Sequence, residues 1–171
     1  MVPEPAEGFF RLFVYGTLKR GFANHERFCA SAVQIRTAQI RGRLFETPWG
    51  HPVVALPAGE ILARGSADHE LDGSRQRALA MEPAPPKYLP GQEKSFGWVQ
   101  GELLGFSNPH GWLVALDHFE EFDPVGGGSR FERVLVLAYL DESISIPAWV
   151  YAGAGILSGH AFPEITGGRW Q

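Results

Sequence analysis

Residues Phe9 to Tyr15 read FFRLFVY, an almost continuous apolar and aromatic run that ends abruptly at Gly16. A run this short cannot form a long helix, and its apolar side chains cannot leave one face in water. It therefore predicts a central strand covered on both sides. Further strand patterns follow at Ala38–Phe45, where Ile40, Gly42 and Leu44 alternate with Gln39, Arg41 and Arg43, and at Val53–Leu56 beyond a Thr47–Gly50 turn. Three more lie at Gly97–Phe106, Phe131–Tyr139 and Ile146–Tyr151. Asn24 is placed to cap a short helix running from His25 towards Ala32. Many short strands with a few short helices predict an α+β fold, whose natural form is a strongly bent sheet or a small mixed β-barrel with flanking helices.

The chain has 171 residues, enough for one domain with a substantial core. Residues 59–94 interrupt the pattern, being rich in Asp, Glu, Arg, Gly and Pro, with Pro83, Pro85, Pro86 and Pro90 clustered near the end. This stretch reads as an insertion in a single domain spanning residues 1–171, either a lid or a surface excursion, with a short helix at Ser74–Met81.

Charge and composition remove several function classes. The net charge is −4 and no basic block exceeds Lys19–Arg20, so a nucleic-acid partner is not expected. The single cysteine, Cys29, forms no disulfide within the chain, and the six histidines lack paired ligand spacing, so no metal site is expected. The first eight residues lack the basic start of an export signal, and no run approaches the roughly 18 to 20 apolar residues of a membrane span. The expectation is a cytoplasmic protein without a membrane partner; its oligomeric state is not encoded in any recognisable pattern.

The segment Ser107–Pro124 reads SNPHGWLVALDHFEEFDP. Ser107 or Asn108 can cap a helix and Pro109 suits its first position, giving a helix over Pro109–Phe122. At about 100° per residue from Leu113, Leu116 falls near roughly 300°, Trp112 near 260° and Phe119 near 240°. On the same wheel Glu120 falls near about 340°, within the apolar arc, whereas Glu121 falls near 80°, outside it. One carboxylate thus faces the core and its neighbour faces water, and a desolvated carboxyl has the raised pKa that a general acid or base needs. The arc has soft edges, so a solvated or Arg-bonded Glu120 is the competing reading. Asp117, three residues earlier, lies close enough on the wheel to touch Glu120, and reads as a residue that positions the helix.

Between the first strand and the first helix lies Tyr15–Gly16–Thr17–Leu18–Lys19–Arg20–Gly21. A glycine directly after a central strand lets the backbone turn sharply and approach a ligand, and successive N–H groups there can form an anion-binding nest. The spacing of glycines is not that of a phosphate loop.

These residues resemble a known family. VYGTLKRGFANH (Val14–His25) is similar to the opening signature of the gamma-glutamylcyclotransferase-like proteins, nearest to their gamma-glutamylamine cyclotransferase branch. RGRLFETPWGHPVVAL (Arg41–Leu56), VQGELLGF (Val99–Phe106), ALDHFE (Ala115–Glu120), RFERVLV (Arg130–Val136), AWVYAG (Ala148–Gly153) and ITGGRW (Ile165–Trp170) follow in the same order. The resemblance implies an enzyme built on a small mixed barrel that cyclises a gamma-glutamyl amine or amino acid to 5-oxoproline and releases the free amine. It also implies Glu120 as general acid/base, substrate binding by Tyr15, Gly16, Thr17 and Leu18, and no metal or organic cofactor. Phe131 stands where many members carry tyrosine. Two other readings of the scaffold are a small-molecule-binding protein with little turnover, and acyl transfer to or from a specialised metabolite.

Overall fold

The computed structural model describes residues 9–81, 96–157 and 159–171. Its strands are β1 (Phe10–Val14), β2 (Gln34–Glu46), β3 (Pro52–Ala55), β4 (Ala63–Arg64), β5 (Gly97–Phe106), β6 (Phe131–Tyr139) and β7 (Ser145–Gly153). Its α-helices are α1 (Ala23–Phe28), α2 (His69–Ala80) and α3 (Trp112–Phe119).

Five strands close into a mixed barrel in the order β2-β5-β1-β7-β6, and the Gln39–Tyr139 pairing of β2 with β6 completes the ring. β1 lies at its centre, antiparallel to β5 and parallel to β7, with Leu12 opposite both Leu104 and Trp149. Closure removes the open edges that short strands would otherwise present. β3 and β4 extend the wall by pairing with β2 and β6.

The unbroken apolar character of the first strand is explained by its two neighbours. Phe13 and Tyr15 join a cluster with Ile40 of β2, Val99 of β5, Val134 of β6 and Val150 of β7, which fills the barrel. Phe10, Leu12 and Val14 point the other way and pack with Leu113 and Leu116 of α3 and Phe28 of α1. Each face of β1 is therefore covered, and the strand emerges at a fixed place beside both helices.

Several boundaries differ from the sequence expectation for local reasons. β2 begins at Gln34, since Gln34–Thr37 pair with Gly105–Glu102 although their side chains are half-buried or exposed and show no alternation. α1 starts at Ala23 with Phe22 in the capping position; Asn24 lies inside the first turn, and its side-chain amide donates to Thr17 Oγ1 at 3.0 Å instead of capping. α3 begins at Trp112 after Gly111, which has a left-handed φ of 76°; Asn108 Oδ1 instead accepts from His110 N–H in the preceding turn. α2 is longer than expected and starts at His69, with Asp68 accepting from Leu71 N–H. The proline cluster of residues 83–90 lies outside the described residues.

Candidate active site

A cavity of about 360 Å³ opens at the end of the barrel where β1 exits. It brings together all five residues singled out from the sequence: Tyr15, Gly16, Thr17 and Leu18 from the loop after β1, and Glu120 from the end of α3. The first four lie about a hundred residues from the fifth, so only barrel closure against α3 unites them.

The loop is held by its own turn and by α1. Lys19 N–H donates to Gly16 C=O at 3.0 Å, and His25 Nδ1 lies 2.8 Å from Leu18 C=O. Among the described residues, none accepts a hydrogen bond from the backbone N–H of Gly16, Thr17 or Leu18. A β-carbon at Gly16 would stand 2.8 Å from Pro52 Cγ and Cδ, so only glycine lets the loop lie this close to β3. Tyr15 is differently employed: its hydroxyl donates to Tyr151 C=O at 2.7 Å and lies 3.4 Å from Val54 N–H. Burial and the nearby charge of Glu120 push its pKa up, so it stays neutral and braces the cavity wall.

Glu120 occupies the C-cap of α3, just beyond the last helical residue. The chain reverses there in a Schellman pattern: Glu121 N–H donates to His118 C=O at 3.1 Å and Phe122 N–H to Asp117 C=O at 2.9 Å. Glu121 sits at the left-handed position with φ 55°, and its side chain is exposed. Glu120 lines the cavity, and among the described residues its carboxylate accepts no hydrogen bond. Burial pushes its pKa up to about 7; Arg130 opposes the rise, while Asp117 and Glu121 add to it. A carboxyl poised there can take and return a proton near neutrality.

Behind α3 lies an ion network that sequence reasoning did not find. Arg133 of β6 is fully buried, and its Nε and Nη2 donate to Asp117 at 2.8 and 3.1 Å in a fork. Its Nη1 donates to Asp72 of α2 at 2.9 Å. Asp117 also accepts from Tyr151 Oη and has His69 Nε2 at 2.9 Å. His69, which looks like a solvated loop residue in the sequence, is thus a largely covered partner of the helix. Burial drives the Asp117 carboxyl up, but the hydrogen bonds from His69, Arg133 and Tyr151 outweigh it and hold the pKa below its ordinary value. These contacts fix α3 and, through it, the position of Glu120.

Arg41, Arg43 and Cys29 do not line the cavity. Arg43 pairs with Glu164 at 2.9 Å and the Arg41 guanidinium lies 5.1 Å from the Trp98 ring, so both sit on the outer barrel wall. Cys29 is buried and its thiol is pushed up to about 12 by burial and by Glu120, which makes it a poor nucleophile. Phe131 lines the cavity with its ring 5.9 Å from that of His51. Trp49, His51 and Arg130 line it too. Nothing in their spacing marked them, because they come from two separate connections.

Residues 12–89 match the family described as gamma-glutamyl cyclotransferase, AIG2-like; the match includes the loop after β1 and ends before α3. No curated protein matches the chain in sequence. Among solved structures, YkqA from Bacillus subtilis is 20% identical with a TM-score of 0.54, over 95% of this chain but only 39% of YkqA. A protein of Arabidopsis thaliana known from its solution structure is 17% identical with a TM-score of 0.56, over 95% of this chain and 80% of its own. An AIG2-like protein of Mus musculus is 21% identical over 86% of this chain and 78% of its own, with a TM-score of 0.46. At these identities the first two likenesses speak for the fold, and no helix among the described residues is long and apolar enough to cross a membrane. Over residues 12–89, a little under half of its length, the chain is similar to the gamma-glutamyl cyclotransferase, AIG2-like family.

Proposed function

We propose that the protein cyclises a gamma-glutamyl amine or amino acid to 5-oxoproline, with Glu120 as general acid/base and the backbone of Gly16, Thr17 and Leu18 as the cradle for the glutamyl part. The observation that carries this reading is that, among the described residues, one cavity pairs a carboxyl of pKa about 7 that accepts no hydrogen bond with three backbone N–H groups that have no acceptor. The N–H groups suit the substrate's α-carboxylate. Its α-ammonium then faces Glu120, which accepts one proton and leaves a free amine. That amine attacks the γ-amide carbon of the same molecule. A new C–N bond closes the five-membered ring, and the old C–N bond breaks as Glu120 returns its proton to the departing nitrogen; the ring nitrogen sheds its second proton through Glu120 to the freed amine, which leaves as an ammonium. No water enters the balance. Because nucleophile and electrophile belong to one molecule, holding the folded substrate in attack geometry supplies much of the acceleration.

The test is release of 5-oxoproline from a panel of gamma-glutamyl amino acids and amines by the purified protein. At least one compound is expected to turn over, with kcat reduced by about 10²- to 10⁴-fold in Glu120→Gln. The same substitution at exposed Glu121 is expected to retain most of the activity. Equal loss in both variants, or no product from any compound, would sink the assignment.

A further inference from the structure

The outer wall of the cavity supplies no group that takes or returns a proton in the steps just described, and Arg130 acts on them only through its charge near Glu120. Arg130, immediately before β6, contributes the one Lys or Arg side chain among the described residues lining it. Its Nη1 lies 3.4 Å from Glu121 Oε2, long for a charge-assisted hydrogen bond, and among the described residues its guanidinium has no other hydrogen-bond partner. The flat guanidinium lies 5.0 Å from the centroid of the Trp49 ring. Trp49 is 51% exposed, yet it is not loose. Thr47 Oγ1 donates to His51 C=O at 2.6 Å to tie its turn, and His160 and Phe162 meet its ring edge-on at 5.9 and 5.8 Å. The result is an aromatic rim with one cation whose donor groups remain open.

The glutamyl part has no need of that cation. Its α-carboxylate has the backbone N–H groups of the loop, and its α-ammonium has Glu120. The open charge therefore faces the departing half of the molecule. An amino acid linked through its α-nitrogen carries a carboxylate carbon two bonds from the scissile nitrogen, and a guanidinium fork matches a carboxylate. A simple amine brings nothing to pair with Arg130, and a diamine brings a second cation that Arg130 repels. The aromatic rim adds a surface for a large apolar side chain.

We propose that Arg130 and Trp49 form a leaving-group subsite that selects gamma-glutamyl amino acids with aromatic or large apolar side chains over gamma-glutamyl amines. This rests on the cyclisation reading above, and it runs against the amine branch that the loop signature resembles.

Two matched compounds isolate the carboxylate: gamma-glutamyl-phenylalanine and gamma-glutamyl-phenethylamide, which differ only in that group. 5-Oxoproline release is expected to favour the phenylalanine compound by about tenfold or more in kcat/KM, and Arg130→Gln to bring that ratio close to one. Gamma-glutamyl-alanine supplies the second arm, where Trp49→Ala is expected to reduce the preference for phenylalanine over alanine by about fivefold. Calorimetric affinities on the Glu120→Gln protein are read in parallel, since they need no turnover. Equal kcat/KM for the matched pair, or a ratio that Arg130→Gln leaves intact, overturns the subsite while leaving cyclisation in place. Absence of product together with an Arg130-dependent preference in binding overturns cyclisation and retains the subsite. Absence of both product and preference overturns both.

Discussion

Asp117 and Glu120 leave the same short helix three residues apart and meet opposite surroundings. Asp117 points to the back of α3, where Arg133, Tyr151 and His69 supply its hydrogen bonds. Glu120 points to the front, into a cavity where no described residue donates to it. Burial disfavours the charge on both, yet one pKa falls and the other rises to about 7. Desolvation alone therefore does not decide which carboxyl is poised for proton transfer. The supply of donors does, and the helix acts as a partition between a satisfied face and an open one.

The largest effect is expected from breaking the satisfied face. Arg133→Met would leave Asp117 and Asp72 buried without their shared cation, and should lower unfolding stability by about 3–5 kcal/mol in urea titration near pH 7. Asp117 has a depressed pKa, so its contribution is present above the ordinary carboxylate value and disappears as pH falls through the folded one. The gap between wild type and variant should accordingly shrink in acid. A loss below about 1 kcal/mol at pH 7 would mean that the network orients α3 without stabilising the fold.

Next in size is the open face, with the opposite sign. Glu120 has a folded pKa raised from 4.5 to about 7, so the folded state resists its ionisation. The resulting penalty is absent below the unfolded value, grows between the two, and is complete above the folded one. Glu120→Gln should therefore stabilise the protein at pH 8, by about 1–3 kcal/mol given partial solvent access through the cavity, while its gain vanishes towards pH 4.5. A variant that loses turnover but gains stability at high pH alone would separate the chemical role of this carboxyl from a structural one. Equal stability across the whole range would contradict the raised pKa.

The two faces were unequally legible in the sequence. Helical periodicity separates Glu120 from Glu121 because both lie on one local element, where about 100° per residue fixes direction. It did so even though α3 ends at Phe119, since the φ of Glu120, −82°, stays near the helical value and the chain departs only at its ψ of 1°. The central strand was equally clear, its two covered faces removing any need for alternation. Asp72, His69 and Arg133 were not legible as partners, because their meeting depends on α2 docking against the barrel wall, which joins Asp72 to Arg133 across 61 positions and His69 to Asp117 across 48. Trp49 and Arg130 escaped for the same reason, being brought together by the barrel's closure and by no motif. The capping residues misled for a different one: Asn24 and Asn108 each found a nearer loop partner than a helix N–H.

The smallest expected effect lies at the hinge between the faces. Glu121 holds a left-handed φ of 55°, a conformation that costs an ordinary residue about 1–2 kcal/mol. That turn lets the chain leave the helix immediately after Glu120 and leaves the Glu121 side chain exposed at the cavity's edge beside the half-buried Glu120. Glycine removes the steric cost but adds about 0.5–1 kcal/mol of unfolded-state entropy. The exposed contact with Arg130 contributes little at 3.4 Å. Glu121→Gly should therefore gain about 0.5 kcal/mol, whereas Glu121→Val, β-branched at the same φ, should lose about 1–2 kcal/mol. Urea titrations of the two variants at pH 7 measure the difference directly. Destabilisation by glycine would show that the Glu121 side chain, and not the turn it permits, holds the end of α3.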